Sequence, residues 1–518
     1  MPVLNWIGKE AVVNHDKEVP FRLLKKVKAH SVGENSQNLI IHGDNLEALK
    51  ALMPYYVGKI KCIYIDPPYN TGNENWVYND KVNSPKIKKW LGKVVGRESE
   101  DLCRHDKWLC MMYPRLKLLR EFLTDDGIIF ISIDENEHCN LKLLVNEIFD
   151  ENNLLGTLVW KKKYTGGRHA KYFVDLHEYI FVYAKDKSKI SSFTVERPES
   201  EKEKFKLEDE YIKERGRFYI RPLKSNLESR PTLVYPIKCP DGTELKTQWL
   251  VSRPTFEELQ KEGRILIKKK RSGEYQIYMK YYENDRGGEV KVPTILDFTS
   301  NNDAKLELKK IFDIQEGRDN VFYTAKPTKL LKYLLGFATS DNGDIILDSF
   351  AGSGATGDAV LQLNKEKNGN RRFIMIEMED NVAKDITSKR IKTVIDNEKY
   401  NDGFEYCELD KPLFDENGQI EEECSFEQLA TYIYFTETQT NLDKKQIDNN
   451  LIGEYKEIDY YLIFKEKDKN VLNKAFLKKV KKNDNKKVIY ADRCMIDEDT
   501  LEKHNIKFKQ IPYEVKVY

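Results

Sequence analysis

The sequence of 518 residues lacks any run that approaches the ~20 uninterrupted apolar residues a membrane-spanning helix needs. Its first residues, Met1 to Ile7, are soon followed by Lys9 and Glu10, so it also lacks the apolar stretch and cleavage site of a secretory signal. No internal repeat is visible. These absences predict a cytoplasmic protein with no membrane partner.

Cysteine is scarce and scattered, with eight residues, no Cys-x-x-Cys pair and no histidines nearby at zinc-ligand spacing. The pattern predicts that most of the cysteines are small buried apolar residues and that there is no metal site. A net charge of only +1 supplies no overall attraction to a polyanion, so a nucleic-acid partner would need local basic patches. Apolar residues make up 40% and charged residues 33% of the chain, which indicates a globular protein whose length suggests two or three domains.

Apolar strands alternate with amphipathic helices in two separated parts of the chain. This alternation predicts an α/β fold whose parallel sheet is covered on both faces. The predicted strands are Asn38–His42, Ile60–Ile65, Ile128–Ile133, Ile345–Asp348 and Phe373–Glu377. The predicted helices are Asn45–Met53, a stripe over Trp108–Leu123, Pro327–Leu335 and Ala355–Leu363, with a turn at Asp125–Gly127.

Between these two parts the periodicity becomes irregular and charge-rich. We therefore divide the chain into a first α/β part (1–184), an insertion (185–322), a second α/β part (323–410) and a C-terminal accessory domain (411–518). The two α/β parts are predicted to form one domain with a doubly wound sheet. In the smaller C-terminal α/β domain the pattern predicts the strands Ile458–Phe464, Lys487–Ala491 and Ile506–Ile511 and the helices Val471–Val480 and Glu498–His504.

The motif Asp66-Pro67-Pro68-Tyr69 directly follows the strand Ile60–Ile65, at the sheet edge where α/β proteins bind ligands. The prolines remove two backbone donors, so Asp66 and the Pro67 carbonyl form a rigid cluster of acceptors. Such a cluster suits an exocyclic amine, which donates two hydrogens to it while Tyr69 stacks on the attached ring. The alternative is a purely structural turn with two prolines. In that case the Asp66 side chain caps the backbone of the turn, the Tyr69 ring packs against its neighbours, and neither residue has a catalytic role.

A second motif, Asp348-Ser-Phe-Ala-Gly-Ser-Gly354, lies between a predicted strand and a predicted helix. Gly352 and Gly354 allow the tight turn and close backbone approach that a nucleoside needs, and Glu377 can meet ribose hydroxyls. The spacing Gly352-x-Gly354-x-x-Gly357, with Glu377 at 377 − 357 = 20 residues further on, also fits a nicotinamide dinucleotide. That alternative explains neither the first motif nor Asp348 and Phe350.

Together these motifs resemble those of the modification (Mod) subunits of type III restriction-modification systems, a family of adenine-specific DNA methyltransferases. Asp66 to Gly72 resembles the family's catalytic motif, and Asp348 to Gly354 resembles its S-adenosylmethionine motif. Their order, with an insertion between them, is similar to that of the circularly permuted β class, which has a Rossmann-like sheet. Further matches are His42–Leu49, Gly127–Glu137, Lys326–Thr328 and Phe508–Tyr513, whereas Ala355 stands where the family more often has threonine.

The resemblance implies transfer of a methyl group from S-adenosyl-L-methionine to the 6-amino group of adenine in double-stranded DNA. Asp66, Pro67, Pro68 and Tyr69 would hold the base. The implied cofactor-binding residues are Asp44, Lys326, Pro327, Thr328, Asp348, Phe350, Ala351, Gly352, Ser353, Gly354 and Glu377. Asp44 would lie near the cofactor's adenine, although it could instead cap a helix. Lys326–Thr328 would lie near the methionine end, or form a helix start with Pro327 in first position.

The insertion is predicted to be the target-recognition domain, because the two motifs recognise only the base and the cofactor. Its run Lys268, Lys269, Lys270 and Arg271 could contact phosphates or form a solvated face. The segment Asn70–Asp80, with Gly72 as a pivot and Trp76 and Tyr78 as apolar contacts, could be a mobile loop over the base or an ordered surface loop.

The resemblance further implies a homodimer and a separate, ATP-dependent restriction subunit, since the sequence has no G-x-x-x-x-G-K-[ST] phosphate loop. Other functions stay open from the residues alone. They are a nicotinamide-dependent enzyme, a DNA-binding or scaffold protein that has lost catalysis, and a methyltransferase of RNA adenine or of the cytosine 4-amino group. Cytosine enzymes usually carry serine in place of Asp66.

Overall fold

The protein forms two compact units, the larger from residues 1–191 and 293–518 and the smaller from residues 192–292. The computed structural model describes residues 3–34, 36–71, 85–96, 103–166, 171–315, 322, 324–414, 420–421, 424–465 and 470–511. Over these ranges no helix is both long and apolar enough to span a membrane.

The larger unit begins with strands and helices that alternate. Its first strands are β1 (Arg22–Lys26), β2 (Leu39–His42), β3 (Ile60–Ile65), β4 (Leu123–Ile133), β5 (Leu154–Trp160) and β6 (Glu178–Ala184). Its first helices are α1 (Lys9–Val12), α2 (His15–Glu18), α3 (Asn45–Tyr56), α4 (Pro85–Val94), α5 (Arg104–Phe122) and α6 (His138–Phe149).

The smaller unit is mostly antiparallel β structure. Its strands are β7 (Thr194–Glu196), β8 (Phe218–Pro222), β9 (Val234–Lys238), β10 (Glu244–Gln248), β11 (Ile265–Lys269), β12 (Tyr275–Tyr282) and β13 (Glu289–Lys291), and its helices are α7 (Glu199–Lys202), α8 (Ile212–Arg215) and α9 (Arg253–Lys261). The strands pair as β11-β12-β8, β10-β9 and β13-β7. Trp249, Phe256 and Ile277 are central to its apolar core.

The chain then returns to the larger unit. The strands of this return are β14 (Ile295–Leu296), β15 (Ile345–Asp348), β16 (Arg372–Glu377), β17 (Glu405–Pro412), β18 (Leu451–Tyr455), β19 (Ile458–Leu462), β20 (Val471–Leu472), β21 (Lys486–Ala491), β22 (Arg493–Cys494) and β23 (Ile506–Gln510). The helices are α10 (Asn301–Ile311), α11 (Thr328–Ala338), α12 (Ala355–Lys367), α13 (Asp380–Val382), α14 (Lys389–Glu398), α15 (Phe426–Thr438), α16 (Lys474–Leu477) and α17 (Glu498–Lys503), with a π-helical turn between α13 and α14.

One large sheet draws strands from both segments of this unit, in the order β1-β17-β2-β16-β15-β3-β4-β6-β5-β14. The strands from β17 to β4 are parallel to their neighbours, which confirms the predicted α/β fold. Three pairings nearer the edges are antiparallel: β4 with β6, β6 with β5, and β1 with β17. The sheet is thus mixed: its central strands are parallel as predicted, and these three pairings are antiparallel. β5 and β6 run antiparallel, and residues 161–166 and 171–177 between them include no crossover helix of the kind that a parallel pairing needs.

The centre of the sheet lies where β3 and β15 pair, with Ile60 opposite Ile345 and Ile63 opposite Leu347. Both strands are almost wholly apolar, as parallel strands covered on two faces must be. The predicted stripe from Trp108 to Leu123 is buried in the core cluster that also holds Ile63 and Ile65 of β3, although α5 ends at Phe122 and Leu123 begins β4.

Two sequence predictions fail locally. Residues Asp125–Gly127 were predicted to form a turn but lie within β4, which begins at Leu123. The register of the pairing between β4 and β3 shifts at these residues. The predicted helix Val471–Val480 is only the short strand β20 followed by α16. The side chain of Asn473 accepts hydrogen bonds from the amides of Ala475 and Phe476, so it starts the helix after β20.

Candidate active site and cofactor pocket

Asp66 lies at the carboxyl end of β3, and its carboxylate is held by a lysine from a distant part of the chain. The Nζ atom of Lys326 donates to both oxygens of Asp66, at 2.8 and 2.7 Å, and to the hydroxyl oxygen of Tyr69 at 2.8 Å. The Tyr69 hydroxyl in turn donates to Asp66 at 2.7 Å. The structure thus brings two predicted catalytic residues together with one that was predicted to bind cofactor.

A second carboxylate, that of Glu178 at the start of β6, completes this cluster. Its Oε2 lies 3.1 Å from the Tyr69 hydroxyl and 3.3 Å from Lys326 Nζ. Its Oε1 lies 3.5 Å from Lys162 Nζ. The side chains of Glu178 and Lys326 are each only 8% exposed, so the cluster is an ionic network largely removed from water. Sequence reasoning missed Glu178, because no motif marks it.

Charge and burial oppose each other in this cluster. Burial raises the pKa of Asp66, the charge of Lys326 lowers it, and the charge of Glu178 raises it further, with a net upward shift. Burial alone would lower the pKa of Lys326, but the Asp66 and Glu178 charges raise it above its ordinary value. Lys326 is therefore an ammonium group, with three donors and no acceptor.

The backbone of the Asp-Pro-Pro-Tyr turn is fixed by neighbours from α5 and from the N-cap of α6. The indole Nε1 of Trp108 donates to the Pro68 carbonyl oxygen at 2.6 Å. Asn70 has a left-handed backbone (φ 58°), and its amide donates to the Arg104 carbonyl at 3.2 Å and to the buried carboxylate of Glu137. The turn is thus held by side chains as well as by its prolines. Of the segment predicted to cover the base, Gly72, Trp76 and Tyr78 lie outside the described residues.

The glycine motif forms the turn from β15 to α12. Asp348, at the end of β15, accepts the Phe350 amide at 3.0 Å and the Thr356 hydroxyl at 2.5 Å, which closes the turn over its own carboxylate. Gly352 and Gly354 both have left-handed backbones, with φ of 51° and 79°. Burial raises the pKa of Asp348 to about 7.

Glu377, at the end of β16, is buried beside this turn. One of its oxygens accepts the Gly352 amide at 2.9 Å and the other accepts the Glu379 amide at 2.9 Å. The amide of Ala351 donates to the Ile376 carbonyl at 3.0 Å. The turn is therefore hydrogen-bonded to β16 at two residues, Ile376 and Glu377.

Asp44 is the N-cap of α3. Helix capping was one of the two roles predicted for it, and contact with the cofactor's adenine was the other. Its carboxylate accepts the amides of Leu46 and Glu47 at 2.9 and 3.2 Å. The guanidinium of Arg115 lies 3.2 Å from its other oxygen. Neither Arg115 nor its second partner, the neighbouring Asn45, was predicted, although both lie at the pocket described next.

A pocket lies along the carboxyl ends of β3, β15 and β16. Residues from both motifs line it. They include Asn45, Pro68, Ser349, Phe350, Glu377 and Glu379. The catalytic turn and the glycine turn therefore share one cavity, although they are far apart in the sequence.

Pro327 and Thr328 begin α11, and a buried arginine ties this start to the glycine turn. Pro327 is the N-cap of α11 and Thr328 its first residue. Arg390 donates to the Thr328 hydroxyl at 2.7 Å, to Asp358 at 2.9 Å and to the Ser353 hydroxyl at 3.1 Å. Ser353 and Thr328 are thus held in one polar network, and Lys326 is positioned at Asp66 by the same chain segment.

The predicted phosphate-binding run lies in the smaller unit. Lys268, Lys269, Lys270 and Arg271 are all exposed. Lys269 lies 3.5 Å from Asp241, so part of the charge of this run is already paired.

The comparisons with known proteins agree with these motifs. Residues 60–389 match the model of a family described as DNA methylase. The type III restriction-modification enzyme StyLTI Mod subunit of Salmonella typhimurium LT2 is 32% identical over 75% of this chain and 60% of its own length. The EcoPI Mod subunit of Escherichia phage P1 is 32% identical over 76% of this chain and 68% of its own length. The chain thus spans between 60% and 68% of the length of these relatives.

Among solved structures, the PvuII DNA methyltransferase, described as cytosine-N4-specific, matches 70% of this chain and 93% of its own chain. The sequence identity is 14% and the TM-score 0.33. A likeness of this degree says nothing about the target base of the present chain.

Proposed function

The chain belongs to the DNA methylase family, and we propose that it transfers a methyl group from S-adenosyl-L-methionine to the 6-amino group of adenine in double-stranded DNA. Within that family the proposal assigns it to the modification component of a type III restriction-modification system, as the names of its relatives suggest. The nicotinamide alternative has no support in these matches.

One observation carries the proposal. Pro68 of the catalytic turn lines the same pocket as Phe350 and Glu377 of the cofactor part. A base held by Asp66 and a nucleoside cofactor held by the glycine turn would therefore meet inside one cavity. Neither motif alone predicts that arrangement, and a protein that only bound DNA would have no use for it.

The pocket fits S-adenosyl-L-methionine better than a dinucleotide. Glu377 and Glu379 line it, and their carboxylates would repel a pyrophosphate but favour a cationic sulfonium. The bound cofactor would supply an electrophilic methyl group. Gly352 and Gly354 would allow its close approach, Phe350 would pack on it, and the Glu377 carboxylate would accept from ribose hydroxyls.

The Asp66 turn is suited to the amine of a base that has left the DNA stack. Asp66 and the Pro67 carbonyl would accept its two hydrogens, and Tyr69 would stack on the ring. These hydrogen bonds would orient the nitrogen lone pair toward the pocket. After transfer the nitrogen carries one proton too many, and the Asp66 carboxylate, whose pKa is raised, is placed to take it.

We assign sequence readout to the insertion (185–322), within which residues 192–292 form the smaller unit. Tyr219 and Tyr281 stack there at 5.3 Å between ring centroids, and the guanidinium of Arg221 lies 5.4 Å from the Tyr219 ring. Such partly exposed aromatic and basic groups suit bases and phosphates. We further propose a separate restriction subunit as a partner, because the relatives are named as subunits of restriction-modification enzymes. A homodimer is proposed from the resemblance of the motifs alone.

Single-molecule sequencing of DNA from cells that express the protein tests this proposal, because it reports the modified base and its sequence context together. We expect N6-methyladenine at one recurring site. We expect Asp66→Ala to abolish it, with an effect of about 10²–10⁴-fold or more on the transfer rate, while S-adenosyl-L-methionine binding persists. Asp126→Ala, which removes a half-exposed carboxylate paired with Lys61, is the matched control and should methylate normally.

Three results would contradict the proposal. If the DNA contained modified cytosine instead of modified adenine, the target would be the 4-amino group of cytosine. Binding of a nicotinamide dinucleotide but not of S-adenosyl-L-methionine would restore the rival enzyme. Equal loss of cofactor binding and transfer in Asp66→Ala would place Asp66 at the cofactor and not at the base.

A further inference from the structure

The Lys326 ammonium occupies the acceptors that the proposed function assigns to the target amine. Its Nζ lies 2.8 and 2.7 Å from the two oxygens of Asp66. A carboxylate has about four lone-pair sites, and Lys326 and the Tyr69 hydroxyl already take three of those of Asp66. The amine of a bound base would therefore compete with Lys326 for Asp66, and it would meet a carboxylate whose charge the ammonium already neutralises.

A buried ammonium cannot simply leave its partner, because an unpaired charge away from water is strongly unfavourable. Glu178 is the one further carboxylate whose ion pair with Lys326 is seen among the described residues, at 3.3 Å. Asp66, Glu178 and Lys326 together carry two negative charges and one positive charge. Lys162 pairs with Oε1 of Glu178 at 3.5 Å, which leaves Oε2 to take a closer pair with Lys326.

We propose that Glu178 is a positioning residue that receives the Lys326 ammonium when the target base binds, and so frees Asp66 for the exocyclic amine. This inference rests on the proposed function and deepens it. A small movement of Nζ from Asp66 toward Glu178 Oε2 keeps the lysine paired throughout. Asp66 then faces the base as a carboxylate without a counterion, which favours the positive charge that develops on the amine nitrogen.

The hydroxyl of Tyr69 links the two positions. It lies 2.7 Å from Asp66, 3.1 Å from Glu178 and 2.8 Å from Lys326 Nζ. When the lysine moves to Glu178, this hydroxyl can keep its bond to Asp66, so the carboxylate stays oriented. Lys162 lies 3.5 Å from the other oxygen of Glu178, and this ion pair holds the Glu178 side chain in place.

A double-mutant cycle tests the proposal, with DNA that contains the site found by sequencing. Glu178→Gln keeps the shape of the side chain but removes its charge, so Lys326 should hold Asp66 more firmly. We expect kcat/KM for DNA to fall at least ten-fold in the protein with Lys326, but less than two-fold when Lys326→Met is already present. Glu178→Asp, which keeps the charge, should recover most of the activity.

The matched control is Glu137→Gln. Glu137 is also a buried carboxylate of the site, but its bonds go to Asn70, His105 and Asn140 and not to Lys326. We expect Glu137→Gln to lower kcat/KM for DNA by the same factor whether or not Lys326→Met is present. A purely structural role for Glu178 would give it this same additive behaviour.

A second readout does not depend on transfer and covers the case in which Lys326→Met is inactive. 2-Aminopurine at the target position becomes fluorescent when it leaves the stack. Glu178→Gln should reduce the fluorescence rise on protein binding, and addition of Lys326→Met should restore it. Equal effects of Glu178→Gln in both backgrounds, or no effect in either, would overturn the inference. A wild-type protein that makes no N6-methyladenine would instead overturn the proposed function.

Discussion

The indole nitrogen of Trp108 donates a hydrogen bond to the carbonyl oxygen of Pro68, across the interface between α5 and the catalytic turn. Trp108 is fully buried, so its ring packs in the core while its one polar atom reaches the active site. The turn that presents Asp66 is therefore anchored by the core of the larger unit. A residue that looks like ordinary packing in the sequence positions the chemistry.

We expect Trp108→Phe to slow methyl transfer more than it weakens cofactor binding. The variant keeps an aromatic ring but leaves the Pro68 carbonyl without its donor, which costs about 1–3 kcal/mol if the carbonyl stays buried. Single-turnover rates and calorimetric titration with S-adenosyl-L-methionine separate the two effects. Trp249→Phe removes a similar indole bond, to the Tyr235 carbonyl, from the smaller unit and controls for loss of stability. Unchanged transfer in Trp108→Phe would show that this bond does not position the turn.

Gly354→Asp is expected to weaken S-adenosyl-L-methionine binding by at least ten-fold. Gly354 has φ of +79°, and an added Cβ would lie 3.2 Å from Thr387 Cγ2 and 3.3 Å from the Thr387 carbonyl oxygen. The substitution would therefore distort the turn that approaches the nucleoside, in addition to a left-handed strain of roughly 1–2 kcal/mol.

Gly343→Asp is the control for that strain, because Gly343 has φ of +80° but its nearest neighbour atoms would lie 3.8 Å from an added Cβ. Calorimetry should show normal cofactor binding in this control. Equal weakening in both variants would mean that backbone strain alone, and not the site of Gly354, explains the effect.

The free energy of unfolding should depend on pH through Asp348. Burial raises its pKa from the ordinary 3.8 to about 7, so between these pH values the folded protein holds a proton that the unfolded chain has lost. The contribution of Asp348 to stability therefore falls as pH rises from about 4 to about 7, and is constant above that range. Asp348→Asn cannot ionise, so its melting temperature should rise relative to wild type between pH 5 and pH 8.

Asp186→Asn serves as the comparison, because hydrogen bonds from Ser188 lower the pKa of the partly exposed Asp186. Its effect on stability lies below the ordinary pKa, so its melting temperature should run parallel to wild type from pH 5 to pH 8. Parallel curves for Asp348→Asn as well would mean that Asp348 is ionised in the folded protein throughout this range.

Exchange of residues 192–292 for the corresponding unit of a related enzyme should move methylation to a new DNA sequence and keep adenine as the product. The expectation follows because both chemical motifs lie in the larger unit and stay in place. Sequencing of DNA from cells that express the chimera reads out the site and the base. A chimera that folds, binds S-adenosyl-L-methionine and still modifies the original site would place specificity elsewhere, with the part after residue 410 as the next candidate.

The central strands and the two motifs could be predicted because each is a local signal. Ile60–Ile65 is an apolar run that ends at Asp66, and the structure has the same bounds for β3. Glu178 could not be predicted in this way. It is a single charged residue at the start of the apolar strand β6, and its partners Tyr69 and Lys326 lie 178 − 69 = 109 and 326 − 178 = 148 residues away. A charge that begins an otherwise apolar strand is the only signal it offered.

The pairing of β3 with β15 also has a consequence for folding during synthesis on the ribosome. Ile60 pairs with Ile345, which the ribosome adds 345 − 60 = 285 residues later. At about 5–20 residues per second, the nascent chain waits roughly 15–60 s with that edge of β3 open. An apolar strand with an open edge is prone to pair with other chains. Newly made molecules are thus expected to need shielding by chaperones until the second half arrives and completes the sheet.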